Sequence, residues 1–206
     1  MFYIFVHQLL AVLIRLLFRK QTLGLDNIPP KGGAVLVANH ISYIDPPVLA
    51  TSIPVTRRVY FMAKKELFSI PIFGRIIQAL GAFPVQTGTA DRRALMHALR
   101  ILKDQKLLLV FPEGTRNPQL EKKKVYSGGV LLAQKAEVPV IPIGLINTGK
   151  ILPAGSSIPR FPKLTVNIGK PIKIPPDLNR EQVRELTTEL MEKIELLISE
   201  DPAKSK

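Results

Sequence analysis

The chain contains no cysteine, which excludes a disulfide, a thiolate nucleophile and a zinc site built on sulfur ligands. Three histidines, His7, His40 and His97, are then the only candidate imidazole ligands, and no metal chemistry or metal site is expected. No Gly-x-Ser-x-Gly run occurs, so the strained strand-to-helix turn that exposes a serine nucleophile is missing. There is no internal repeat or low-complexity tract. An RNP-like aromatic block and zinc-finger spacing are also absent, so nucleic-acid binding is not expected despite the basic charge.

The 206 residues suit one domain with a real core, and 46% hydrophobic content is globular. Lys and Arg outnumber Asp and Glu by 29 to 16, a net charge of +13 that favours any polyanion, whether nucleic acid, an anionic membrane surface or a phosphate-bearing substrate, and does not by itself choose among them. Residues 2–18 are apolar apart from His7, Gln8 and Arg15, and on a helix Gln8, Arg15 and Arg19 fall along one narrow stripe. Such a helix reaches about 25 Å against a hydrocarbon core of ~30 Å, so it reads as an interfacial anchor. The expected organisation is a membrane-interfacial helix over 1–20 and one folded domain over 21–206.

Chemistry concentrates first in Asn39-His40-Ile41-Ser42-Tyr43-Ile44-Asp45, directly after an apolar run. An imidazole titrates near neutral pH, and a carboxylate on its other nitrogen fixes the tautomer and stabilises the imidazolium. An unbroken helix would splay His40 and Asp45 apart; a strand end turning into a helix brings them together. Asp45 followed by Pro46 and Pro47 reads as a cap and the first turn of that helix. Ser42 is close enough to be a rival nucleophile, but bonding the turn backbone is the better reading.

A second block, Phe111-Pro112-Glu113-Gly114-Thr115-Arg116, follows another buried-looking strand. The two blocks resemble the N-H-x-S-x-x-D and F-P-E-G-T-R signatures of the glycerophospholipid acyltransferase superfamily, in particular the 1-acylglycerol-3-phosphate acyltransferases. Gly81-Ala82-Phe83-Pro84-Val85 between them and Val138-Pro139-Val140-Ile141-Pro142-Ile143-Gly144 after them extend the resemblance over about residues 25–170.

The resemblance implies transfer of a fatty acyl group from acyl-CoA or acyl-carrier protein to 1-acylglycerol 3-phosphate, giving phosphatidic acid, with the donor a substrate and no cofactor. His40 is then the general base and Asp45 its orienter. With neither cysteine nor a serine elbow, direct transfer without an acyl-enzyme is expected. Arg116 suits an acceptor phosphate, because its guanidinium grips phosphate oxygens in a fixed fork. Glu113 either orients Arg116 or accepts a glycerol hydroxyl, and the resemblance implies that Glu113, Gly114, Thr115 and Arg116 line the acceptor site. Gly114 lets backbone approach substrate, and its amide is a candidate oxyanion donor. Relatives usually carry an arginine where this chain has Gln86-Thr87; of Lys64, Arg92 and Arg93, Lys64 is chosen to supply the missing charge. Two other readings stay open: the same chemistry on glycerol 3-phosphate or another lysophospholipid, and a non-catalytic protein that binds anionic lipid. The expected location is the cytoplasmic face of a bacterial inner membrane.

Strands are predicted over 34–39, 59–63, 83–86, 107–111, 140–146 and 164–169. Helices are predicted over 46–52, 73–80, 91–103, 127–136 and 179–199, with a short helical stretch from Lys64 and a Pro/Gly-rich excursion over 149–162. Alternating strand and helix gives an α/β class with a largely parallel sheet covered by helices. The helix over 91–103 is expected to bury Leu95, Leu99 and Leu102, with His97 structural or exposed.

Overall fold

The computed structural model describes residues 2–86, 91–114, 125–152 and 158–200. Its helices are α1 (Phe2–Phe18), α2 (Asp45–Ala50), α3 (Phe73–Ala79), α4 (Arg92–Lys103), α5 (Gly128–Ala136) and α6 (Arg180–Ser199). Its strands are β1 (Gln21–Leu23), β2 (Ala34–Ala38), β3 (Val59–Lys64), β4 (Ala82–Val85), β5 (Leu107–Val110), β6 (Val140–Ile146) and β7 (Thr165–Ile168). Short 3₁₀ turns cover Leu25–Asn27, Lys65–Ser69 and Thr148–Lys150.

The strands form one sheet in the order β1-β7-β6-β2-β5-β3-β4. From β6 to β4 every pairing is parallel, whereas β7 runs antiparallel to β6 and carries β1 alongside it. This is the expected α/β architecture: a single domain with a largely parallel sheet. β2 and β6 are buried at every position, because helices cover both faces. One core layer joins α1, α2 and α3 to Ala34, Leu36 and Leu109; the other joins α4, α5 and α6 to Val35, Val37 and Leu108. The alternation along β2 follows from the two-residue period of a strand.

The helices predicted to begin at 91 and at 179 both open on a capping side chain. The Asp91 side chain accepts from the amides of Arg93 and Ala94, and Asn179 forms a reciprocal capping box with Gln182. The inward face of α4 differs from the expected one: Ala94, Ala98, Ile101 and Leu102 are buried, while Leu95 is 40% exposed. Small residues at 94 and 98 let α4 lie close on the sheet, and close approach outweighs the hydrophobicity of Leu95.

Helix α1 is fastened to the segment that ends α2. His7 Nε2 lies 3.1 Å from the Ala50 carbonyl and 3.2 Å from that of Ile53. Lys20 Nζ donates to the Thr51 carbonyl at 2.8 Å and to its hydroxyl at 3.3 Å. Burial, with Arg15 nearby, lowers the Lys20 pKa to about 8. Val6, Ile14 and Phe18 face the protein, whereas Phe2, Phe5, Leu9, Val12, Leu13 and Leu16 are exposed. The helix therefore keeps one apolar face for the core and turns another outward. Among the described residues no helix is long and apolar enough to cross a membrane.

Candidate active site

The sheet register positions the site. Val37 pairs with Val110, and continuing that parallel register brings His40 level with Glu113 just beyond the carboxyl ends of β2 and β5. Ligand crevices in open α/β sheets form outside this edge.

The chain leaves β2 through Asn39, whose buried side chain copies a peptide group. Its Nδ2 donates to the Leu145 carbonyl at 3.0 Å, and its Oδ1 accepts from the Leu145 amide at 2.7 Å. The next residue is thereby free to turn off the sheet without orphaning β6 backbone.

His40 Nδ1 donates to Asp45 Oδ2 at 2.9 Å, and the same oxygen accepts from the Ile41 and Ser42 amides at 2.7 Å each. Asp45 is fully buried, while the His40 side chain is 16% exposed. The sequence reading of Asp45 as a helix cap is corrected here: Ile44 holds the cap position, and Asp45 is the first residue of α2. Its carboxylate turns back because three donors converge on it from the preceding turn. A carboxylate can only accept, so Nδ1 carries the hydrogen and Nε2 is the basic nitrogen. Ser42 Oγ lies 3.5 Å from the Ile44 amide, in keeping with a role in the turn.

Glu113 performs a task that neither predicted role included. Its Oε1 accepts from the His40 backbone amide at 2.9 Å, joining two blocks that lie far apart in sequence. Its Oε2 is buried and has no partner among the described residues. Gly114 adopts φ +65°, a backbone state that glycine holds without strain, and a Cβ there would press on the Tyr126 ring at 3.2 Å. The Gly114 amide donates to the Phe111 carbonyl at 3.0 Å. It is thus committed to its own turn, contrary to the expectation of an oxyanion donor.

Phe111 is the residue that sequence reasoning missed: its ring stacks on the His40 imidazole, with centroids 4.0 Å apart and 17° between planes. Gly149, in the excursion expected over 149–162, borders the site; a Cβ there would lie 2.6 Å from Ile41 Cγ2. Lys64 is exposed at the carboxyl end of β3, on the same sheet edge as His40. Thr115, Arg116 and Thr87 lie outside the described residues.

The assembled geometry is an oriented imidazole on a rigid strand end, with a stacked aromatic on one side and a half-satisfied carboxylate beneath its backbone. The model of the Acyltransferase family matches residues 20–146. This chain belongs to the Acyltransferase family. A chloroplast 1-acyl-sn-glycerol-3-phosphate acyltransferase of Arabidopsis thaliana is 34% identical over 155 residues, 72% of this chain and 42% of that protein. A Bacillus subtilis protein of the same description is 26% identical over 170 residues, 82% of each chain. The crystal structure of the 1-acyl-sn-glycerophosphate (LPA) acyltransferase of Thermotoga maritima superposes with a TM-score of 0.74 at 27% identity, over 95% of this chain and 80% of that one. The chain spans about half the length of the plant and algal relatives that it matches. Both signature blocks of this family member lie within the matched span.

Proposed function

We propose that this Acyltransferase-family chain moves a fatty acyl group from acyl-CoA or acyl-carrier protein to the free hydroxyl of 1-acylglycerol 3-phosphate, forming phosphatidic acid. The observation that carries the reading is the His40–Asp45 contact, which presents Nε2 as a base at the carboxyl edge of the sheet. The similarity to proteins described as 1-acyl-sn-glycerol-3-phosphate acyltransferases supplies the substrate class.

In the proposed reaction the acceptor oxygen attacks the thioester carbonyl while His40 Nε2 takes its proton. The tetrahedral intermediate then collapses, the carbon–sulfur bond breaks, and the imidazolium returns the proton to the departing thiolate. Asp45 stabilises the imidazolium between these steps, and general-base help of this kind contributes about 10²–10⁴-fold. Arg116 is assigned to the acceptor phosphate and Thr115 to the same turn, while Lys64 supplies a second cation. Lys64 is two strands from β2, about 10 Å at the backbone, a gap that its long side chain can largely span. Glu113 holds the His40 backbone with one oxygen, and its other oxygen is available to a glycerol hydroxyl or to Arg116.

The outward apolar face of α1 supports membrane association, through insertion into one leaflet beside the site. On this reading the protein works at the cytoplasmic face of a bacterial inner membrane.

The deciding experiment is turnover by purified protein in phospholipid vesicles, with each donor and 1-acylglycerol 3-phosphate, beside His40→Ala and Arg116→Ala. The expected result is loss of turnover in His40→Ala and a raised acceptor KM in Arg116→Ala. Turnover that survives His40→Ala sinks the mechanism. Turnover only on another acceptor transfers the same chemistry to that substrate, and vesicle binding without turnover on any acceptor favours a lipid-binding protein.

A further inference from the structure

Between β3 and α3 the chain reverses through a strained tip. Ile72 adopts φ +65° and ψ −56°, and across it the Phe73 amide donates to the Pro71 carbonyl at 2.7 Å. This is the rare, strained form of γ-turn, and a β-branched residue is poorly suited to its positive φ. Neighbours enforce it. Pro71 has a fixed φ, the Gly74 amide donates to the Ile70 carbonyl at 2.9 Å, and Gly74 lies so close to the Phe68 carbonyl that a Cβ would overlap it.

What the strain holds in place is an apolar point. Ile72 is 73% exposed, Ile70 and Phe73 beside it are exposed too, and none of the three belongs to either core layer. Folding alone does not account for isoleucine there, because glycine would hold the same backbone without strain and a polar side chain would suit water. Strain kept on display points to a task.

Position and charge say what the tip meets. The 3₁₀ turn Lys65–Ser69 leads to it from the carboxyl end of β3, on the sheet edge where His40 sits. Leu67, Phe68 and Ile76 on either side of the tip pack into the same core layer as Val6, Ile14 and Phe18 of α1. Arg58 ties the far end of α3 to the start of α1, donating to the Ala79 carbonyl at 3.0 Å while its guanidinium lies over the Tyr3 ring at 4.4 Å. The tip thus belongs to the layer whose outermost helix, α1, turns an apolar side outward. Lys64, Lys65 and Arg75 outnumber Glu66 among the exposed charges flanking it, which suits anionic headgroups.

We infer that the Ile70–Phe73 tip is a second membrane-insertion point, entering the same leaflet of an anionic phospholipid bilayer as α1. The inference rests on the reading of α1 as a membrane contact and adds what α1 alone does not supply. A single helix lying in a leaflet is free to roll about its axis. A second insertion off that axis stops the roll and sets the edge that carries His40 against the lipid.

The chain has no tryptophan, so one introduced residue reports its own surroundings. Ile72→Trp and, in a separate protein, Phe5→Trp are mixed with vesicles of equal parts phosphatidylcholine and phosphatidylglycerol, with and without brominated acyl chains. For both the expected result is emission shifted to shorter wavelength and quenched by bromine. A shift for Phe5→Trp alone overturns the tip and leaves α1 as the membrane contact. A shift for Ile72→Trp alone upholds insertion of the tip and fails the α1 reading, and no shift in either protein overturns both. In Ile70→Ser/Ile72→Ser vesicle partitioning should weaken about tenfold or more, since two apolar side chains no longer leave water; unchanged partitioning overturns the inference. Ile72→Gly removes side chain and strain together, so partitioning should weaken while Tm holds or rises. A fall in Tm would show that Ile72 serves the fold, and overturns its display for lipid.

Discussion

The His40 imidazole lies against the Phe111 ring nearly face to face, centroids 4.0 Å apart, so the strand end that follows β5 fixes the plane of the imidazole that follows β2. An imidazolium gains from an aromatic face, and a ring wedged beside another loses freedom to tilt. Phe111→Leu keeps apolar bulk and removes the planar wall. We expect kcat to fall roughly tenfold to a hundredfold, since misplacement on the ångström scale costs that much, while Phe111→Tyr stays near wild type. Steady-state kinetics on both variants checks this.

Asp45→Asn preserves shape but presents an amide to three donors. The imidazole loses the acceptor that fixes its tautomer, so kcat is expected to drop by about 10²–10⁴-fold with little change in acceptor KM. A variant retaining more than about half of wild-type kcat would show that Asp45 does not orient the base.

Glu113→Ala leaves the His40 amide without its acceptor. An unpaired buried donor costs about 1–3 kcal/mol, which for a chain of this size lowers Tm by roughly 3–10 °C. Glu113→Gln keeps a carbonyl oxygen at the same place and should restore most of the loss. Thermal unfolding of the pair separates this backbone role from a contact with substrate, because only the latter moves acceptor KM in Glu113→Gln.

Lys20 predicts a pH dependence. Its folded pKa of about 8 lies below the ordinary lysine value of 10.5, so between these limits the unfolded chain holds a proton that the folded chain has released. Stability attributable to Lys20 therefore rises with pH across that window and is at its lowest below it. Unfolding free energies of wild type and Lys20→Met, compared from pH 7 to 10.5, should show the difference shifting in favour of wild type as pH rises. A difference that stays flat, or shifts the other way, contradicts the buried charge.

Membrane contact through α1 is tested at its outermost positions, Leu16, 72% exposed, and Phe5, 64% exposed. Each such side chain contributes about 1.5–3 kcal/mol on leaving water, so Phe5→Glu/Leu16→Glu should weaken vesicle partitioning by more than about tenfold. Tm in detergent should be unchanged, because neither residue packs in the core. Unaltered partitioning would place the binding surface elsewhere.

Much of this architecture is legible in sequence because local signals and tertiary packing agree. The β-branched runs of β2 and β6, the Asp91 and Asn179 caps and the 3.6-residue stripe of α6 each point one way. The pairing of His40 with Asp45 follows from their spacing at a strand end. Other features depend on neighbours that no window contains. β1, only Gln21–Leu23, is too short to show a period and exists because β7 offers an edge. Leu95 loses its expected place in the core because Ala94 and Ala98 bring the helix close. Asp45 leaves the cap position for donors that only the folded turn gathers, and the stack of Phe111 on His40 depends on the register of β2 with β5.

The two pins on the strand end have a mechanical consequence. Asn39 is clamped to β6 through both amide atoms, and the His40 backbone is clamped to the β5 turn through Glu113. A point held from both flanks cannot slide along the sheet or swing across it. On the acyl-transfer reading proposed above, whatever travel the reaction demands is then made by the lipids.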